Sequence, residues 1–227
     1  LEDAAYAELY RRLVNDSLST TVYPAYLAGL GYSIGGNETG YTVSLNGYQD
    51  KQMNLLATVI EQLLHAELTD ERFSTFKRGL IKDLRNAAKD KPYTQTLSAL
   101  STLLISSSWS PAALADALLP LKLGELKTWR QNKLAKMAVI AGLHGNVSTK
   151  DAQALENLLK KTLPMAAVNK EKSTVADITE PLLLNMNVDH NDAALLIYVQ
   201  DKDASFASRA KSGLAGQILR SAYFSSL

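Results

Sequence analysis

The 227-residue chain carries 24 Lys and Arg against 23 Asp and Glu, a net charge of +1, with 46% hydrophobic and 21% charged residues. Those are the proportions of an ordinary globular protein, with neither the basic excess of a nucleic-acid binder nor the acidic excess of a solvating tail. The lack of cysteine removes disulfides, thiol catalysis and thiolate metal sites together, without fixing a compartment.

In chain order, Tyr6, Leu9, Tyr10, Leu13 and Ser17 fall at helical spacing and predict an amphipathic helix over about residues 3–20. Pro24 and Gly29-Leu30-Gly31 then interrupt the chain. Tyr41, Val43 and Leu45 alternate with Thr42, Ser44 and Asn46, the period of a strand with one dry face. Tyr32 to Ile34 would pair with it across Gly35-Gly36-Asn37-Glu38-Thr39-Gly40 as a hairpin.

Asp50 is expected to cap a helix whose apolar face is Met53, Leu56, Ala57, Ile60, Leu63 and Leu64. A second helix follows with Phe73, Phe76, Leu80, Leu84 and Ala87, and Pro92 marks its end or the next entry. Ser110-Pro111 pairs a cap with proline at the first helical position and predicts a short helix. Lys136 to Leu143 reads as a buried strand stopped by His144-Gly145-Asn146. Ser148 caps a helix carrying Ala152, Leu155, Leu158, Leu159 and Leu163.

Pro164 and the polar residues up to 179 form a linker. Leu182 to Val188 and Ala193 to Gln200 then read as two strands around the turn Asp189-His190-Asn191-Asp192. A closing helix from about Ser205 includes Leu214, Ile218, Ala222 and Phe224. Mixed strands and helices on both sides of a linker predict an α+β fold, an antiparallel sheet with helices packed on one face. The longest nearly apolar run, Met137 to Leu143, is far short of the roughly 20 residues a membrane helix needs.

Chemistry is sparse. The histidines His65, His144 and His190 are far apart in sequence, and neither His-Glu-x-x-His nor its inverse is present. Glu61 and His65 share a helix face at i, i+4, a spacing that ordinarily serves a solvent-exposed pair. Gly31-Tyr32-Ser33-Ile34-Gly35 matches a nucleophile-elbow pattern. That elbow needs a strand before the serine and a helix after it, and the periodicity gives the reverse. The glycines at 35, 36 and 40 read as a turn, since no lysine follows as in a phosphate-binding loop. Asn15-Asp16-Ser17, Asn37-Glu38-Thr39 and Asn146-Val147-Ser148 match glycosylation acceptors, a tripeptide frequent by chance. Trp109 and Trp129 are expected in the core or in helix packing, and the Asp189 to Asp192 stretch reads as a solvated turn. From the residues alone the chain is a soluble α+β unit without a recognisable active site.

Several segments in order resemble the C-terminal half of the pitrilysin and insulin-degrading enzyme family. They are Leu13-Val14-Asn15-Asp16-Ser17-Leu18, Tyr26-Leu27-Ala28-Gly29-Leu30 and Leu45-Asn46-Gly47-Tyr48-Gln49-Asp50-Lys51-Gln52. Further on come Glu71-Arg72-Phe73, Lys91-Pro92-Tyr93, Leu143-His144-Gly145-Asn146, His190-Asn191-Asp192 and Gln217-Ile218-Leu219.

The resemblance implies residues 1–165 as a third-domain-like α+β unit lacking its first strand, 166–179 as linker, and 180–227 as the start of a fourth, similar unit. It implies two bowl-like halves closing around peptides, with zinc bound in the other, N-terminal half, where it would polarise the scissile carbonyl and activate water. That half would be the partner of this chain, which would supply chamber wall and confinement. No catalytic, cofactor-binding or metal-ligating residue is assigned in this chain, and no nucleic-acid or membrane partner is expected. An inactive scaffold or binding subunit of the same fold is the alternative. Leu1 in place of Met and Leu227 inside a helix-like run read as cut ends, so uncovered edges would favour self-association. A bacterial, pitrilysin-like parent would be periplasmic, and a cytoplasmic location is the alternative.

Overall fold

The computed structural model describes residues 1–37, 40–167 and 173–225. Helix α1 (Glu2–Thr21) is the axis of the core, burying Leu9, Tyr10, Leu13, Val14 and Leu18, with Tyr10 fully inside. Two acidic residues, Glu2 and Asp3, occupy its first turn, where they complement the helix dipole. A five-residue helix α2 (Tyr23–Leu27) follows, opened by Pro24, and Gly29 leaves it with φ +80°.

The hairpin forms as its alternation predicts. Strands β1 (Gly31–Asn37) and β2 (Gly40–Asn46) are antiparallel, with Tyr32 opposite Leu45 and Ile34 opposite Val43. Tyr41, Val43 and Leu45 turn toward the core while Thr42, Ser44 and Asn46 face solvent. Helices α1 and α3 contact the hairpin, so the α+β arrangement holds. The turn residues Glu38 and Thr39 lie outside the described residues. Beyond β2, Gly47 takes φ +117°, and a Cβ there would stand 2.3 Å from the Gly29 carbonyl oxygen. The α2 exit and the hairpin exit touch at this point, and only glycine fits.

Asp50 does not cap the next helix. A 3₁₀ turn covers Gln49–Lys51, and α3 (Gln52–His65) begins after it. A tight turn, which serves helix entry as well as a side-chain cap does, replaces the expected one. Helix α3 also has two apolar faces rather than one. Leu55, Val59 and Leu63 enter the main core, while Ile60 joins Leu155 and Leu159 in a second cluster with Met53, Leu56 and Leu64 around it.

Helix α4 (Asp70–Asn86) starts on Thr69, whose hydroxyl accepts from the Arg72 amide, and buries Phe73 and Leu80. A 3₁₀ turn, Ala87–Lys89, continues it. Helices α5 (Pro92–Leu104), α6 (Pro111–Leu118) and α7 (Leu123–Leu134) follow; α6 opens on Ser110 as expected, and α6 and α7 pack against α1. Trp129 of α7 packs edge-on against Tyr6 and Tyr10, and its indole donates to Asp3 Oδ1 at 2.9 Å. Trp109 departs from the expected core role, being 40% exposed. Helix α8 (Thr149–Thr162) begins on a reciprocal cap between Ser148 and Asp151. The chain closes with α9 (Phe206–Ser225), within which the side chains of Ala222 and Phe224 lie outside the described residues.

The later strands form no sheet. Residues 138–144, 182–188 and 193–199 adopt no regular secondary structure, and among the described residues their backbone groups make no hydrogen bond. A period of two specifies which face is dry, whereas a strand exists only when a neighbour supplies the ladder. Two isolated bridges do occur, Met137 with Met165 and Ile105 with Val175. Residues 174–176, in the stretch expected to be a linker, are tied to the unit before it: Ser106 N donates to the Thr174 carbonyl at 3.0 Å, and Ala176 N to that of Leu104 at 2.7 Å. Residues 168–172 lie outside the described set.

Candidate functional site

The residues that carried candidate chemistry are scattered. Glu61 and His65 are both exposed near the end of α3, and His144 is exposed in the loop before Gly145. His190 sits in its turn, with Nδ1 accepting from the Asp192 amide at 2.9 Å. Among the described residues no three His, Asp or Glu side chains converge as a metal requires, so the zinc implied by the resemblance has no fitting donor set here. Ser33 lies in mid-strand opposite Ser44, with no helix following it. The geometry of a nucleophile elbow is therefore not met. Asn15 lies within α1, donating to the Arg11 carbonyl at 3.1 Å, and Asn146 is exposed.

A charged network does form, and it is architectural. Glu8 Oε1 accepts from Arg11 Nη2 at 2.6 Å and from Arg12 Nε at 3.1 Å. Arg12 Nη1 continues to Asp83 Oδ2 of α4 at 2.6 Å, and Arg11 Nη1 reaches the Ile34 carbonyl of β1 at 3.3 Å. Burial pushes the Glu8 carboxyl up, but the two guanidinium groups outweigh it and hold it below its ordinary range. Beside this network, the Tyr41 hydroxyl donates to the Ala7 carbonyl at 2.8 Å. Burial, with Tyr10 and Glu8 nearby, drives its pKa far above that of a free phenol, so it stays protonated. Lys77 Nζ donates to the carbonyls of Leu119 and Leu121, both at 2.8 Å, closing α4 onto the end of α6.

A groove of about 390 Å³ lies between the segment after Met137 and helix α8. Val139, Ala141 and Leu143 line one wall, and Leu155, Leu159 and Met165 help form the others. Among the described residues the backbone of this wall, residues 138–144, makes no hydrogen bond. Glu156, the carboxylate at its rim, is engaged by Lys160 at 2.5 Å. The groove can hold apolar side chains of an adjacent strand and satisfy that strand's backbone, but it offers no general base. The sequence showed the apolar run of 137–143 and the stripe on α8 separately; their meeting was not legible.

Fold and groove thus define an α+β unit whose accessible chemistry is apolar surface and backbone. Residues 1–117, just over half the chain, match the family profile described as the middle or third domain of peptidase M16. Human insulin-degrading enzyme is 28% identical over 231 residues, covering 97% of this chain and 23% of the human protein. The peroxisomal insulin-degrading enzyme-like 1 of Arabidopsis thaliana is 24% identical, covering 99% of this chain and 24% of its own length. In fold, the crystal structure of pitrilysin is similar with a TM-score of 0.61 at 20% identity, over 70% of this chain and 17% of that one. The chain belongs to the M16 peptidase family, the group of pitrilysin and insulin-degrading enzyme. It spans about a quarter of the length of these curated relatives.

Proposed function

We propose that this chain is a non-catalytic part of the C-terminal half of an M16-type peptidase, supplying wall and confinement to a peptide-holding chamber. The match of residues 1–117 to a middle or third domain carries this reading. The dispersal of the three histidines supports assigning zinc to the N-terminal half, the partner of this chain, so no chemical step is routed through these residues. Residues 1–165 are then the third-domain-like unit, 166–179 the linker, and 180–227 the start of the fourth. Peptides are the substrate class of the whole assembly, and domain closure is what the wall contributes to turnover. A periplasmic location belongs to a pitrilysin-like parent and remains part of the proposal.

The test uses the purified chain, a zinc assay and a fluorogenic peptide, with and without the separately produced N-terminal half. The chain alone is expected to bind no stoichiometric zinc and to cleave nothing. Addition of the zinc-bearing half restores chelator-sensitive cleavage. Zinc-dependent hydrolysis by the isolated chain overturns the reading, and failure of the mixture to cleave moves the chain to a scaffold role.

A further inference from the structure

Four cations stand in single file on the outer face of α4. Arg78, Lys82 and Arg85, with Lys89 in the 3₁₀ turn that continues the helix, recur at i, i+4, i+7 and i+11. That spacing puts side chains on one helical face, and all four residues are exposed. Phe73 and Leu80 bury the opposite face against the core.

Among the described residues none of the four cations is in an ion pair, although Asp90 directly follows Lys89. Asp83, the acidic residue within it, is turned aside and held by Arg12 of α1 at 2.6 Å. Asp70 and Glu71 belong to the first turn, about 10 Å or more up the axis from Arg78. The helix dipole accounts for cations at the C-terminal end, Arg85 and Lys89, but not for Arg78 two turns further in. Like charges one turn apart repel, and among the described residues the contact that engages the file is a long bond from Arg78 Nε to the Ser74 carbonyl at 3.4 Å within the same helix, so the arrangement opposes helix stability.

We propose that this file is a docking surface for an acidic peptide segment whose carboxylates recur at a similar pitch. The four charges span about 16 Å at intervals of about 5–6 Å, which long Arg and Lys side chains can match to an extended or helical acidic partner. Arg78 and Arg85 offer planar forks that take a carboxylate bidentately. Gly79 lies beside the file with nothing within 4 Å of where a Cβ would stand, so a partner backbone can approach closely. The face carries Thr75, Gly79 and Asn86 but no aromatic ring for base stacking and no large apolar side chain for insertion into lipid. A net charge of +1 also supplies no broad field for a polyanion. The surface goes beyond the chamber-wall reading and depends only on the fold of α4.

The test is fluorescence anisotropy of the whole 227-residue chain. The probes are a labelled glutamate-rich peptide, its glutamine counterpart, and an oligodeoxythymidine of matched net charge. Each exposed pair lost weakens binding roughly two- to fivefold. The quadruple variant R78Q/K82Q/R85Q/K89Q is therefore expected to bind the glutamate peptide roughly tenfold or more weakly, and R78Q/R85Q to fall between. The control K150Q/K161Q, which removes two exposed charges from α8, is expected to change binding less than about twofold. Circular dichroism checks that each variant folds, and R78Q/R85Q decides the matter if the quadruple variant does not. Equal binding of the glutamine peptide, tighter binding of the oligonucleotide, or equal losses in R78Q/R85Q and the control overturns the proposal.

Discussion

The hydroxyl of Tyr10 donates to the carbonyl of Leu63 at 2.6 Å, joining the middle of α1 to the last turn of α3 across 53 residues of sequence. Tyr10 is fully buried, so no water can replace this bond. Y10F should leave the α3 carbonyl unsatisfied and lower stability by about 1–3 kcal/mol. In a chain of this length each kcal/mol corresponds to roughly 2–4 °C in Tm. Thermal denaturation with secondary structure as the probe checks it; an unchanged Tm refutes the bond's role.

Glu8 gives the fold an acid-sensitive element. Its carboxyl pKa is lowered by Arg11 and Arg12 against the upward push of burial. A depressed folded-state pKa means that the unfolded chain takes up the proton first as pH falls. The Glu8 contribution is thus complete above the ordinary value of 4.5 and is lost as pH drops through the lower folded value. E8Q should be less stable than the wild type at neutral pH and show a shallower loss below about pH 4.5. Parallel acid arms in urea titrations across that range would contradict this.

Gly47 is the tightest backbone position of the hairpin exit. G47A forces a Cβ to within 2.3 Å of the Gly29 carbonyl oxygen at φ +117°. Relief requires moving backbone on both sides, so a loss of about 1–3 kcal/mol or more is expected. G79A, on the open face of α4, should instead be neutral or stabilising by about 1 kcal/mol, because alanine is the better helix former. Equal effects of the two substitutions in chemical denaturation would contradict the close approach.

The apolar segments 182–188 and 193–199 expose Leu183 at 80%, Leu195 at 84% and Val199 at 86%. Unpaired apolar strands associate with one another, so the isolated chain is expected to self-associate through them. L183K, L195K and V199K together should reduce the sedimentation coefficient of the associated species. They should change Tm little, since each exposed site contributes within about 0.5 kcal/mol. Association that persists unchanged in the triple variant places the contact elsewhere.

Much of the helical framework was legible because its signals are local. The apolar spacing of α1, the alternation of β2, the Ser110-Pro111 entry and the Ser148 cap each lie within a few residues of what they specify. Helix α7 escaped notice because Lys122 is not a capping residue type. Its entry is instead held by Glu125, which accepts from the Lys122 amide at 2.8 Å. The file on α4 was hidden by overall charge: +1 for the chain says nothing about which cations share a face.

Sequence by itself determined the helices whose apolar stripes or caps are local, which hairpin face would be dry, and that three isolated histidines form no zinc motif. Tertiary structure alone decided that α3 serves two cores, that Val139 and Leu143 meet α8 across a groove, and that, among the described residues, the later apolar segments stand unpaired. The physical reason is that helices satisfy their hydrogen bonds within a few residues. Burial on a second face and strand pairing instead depend on what another part of the polypeptide brings alongside.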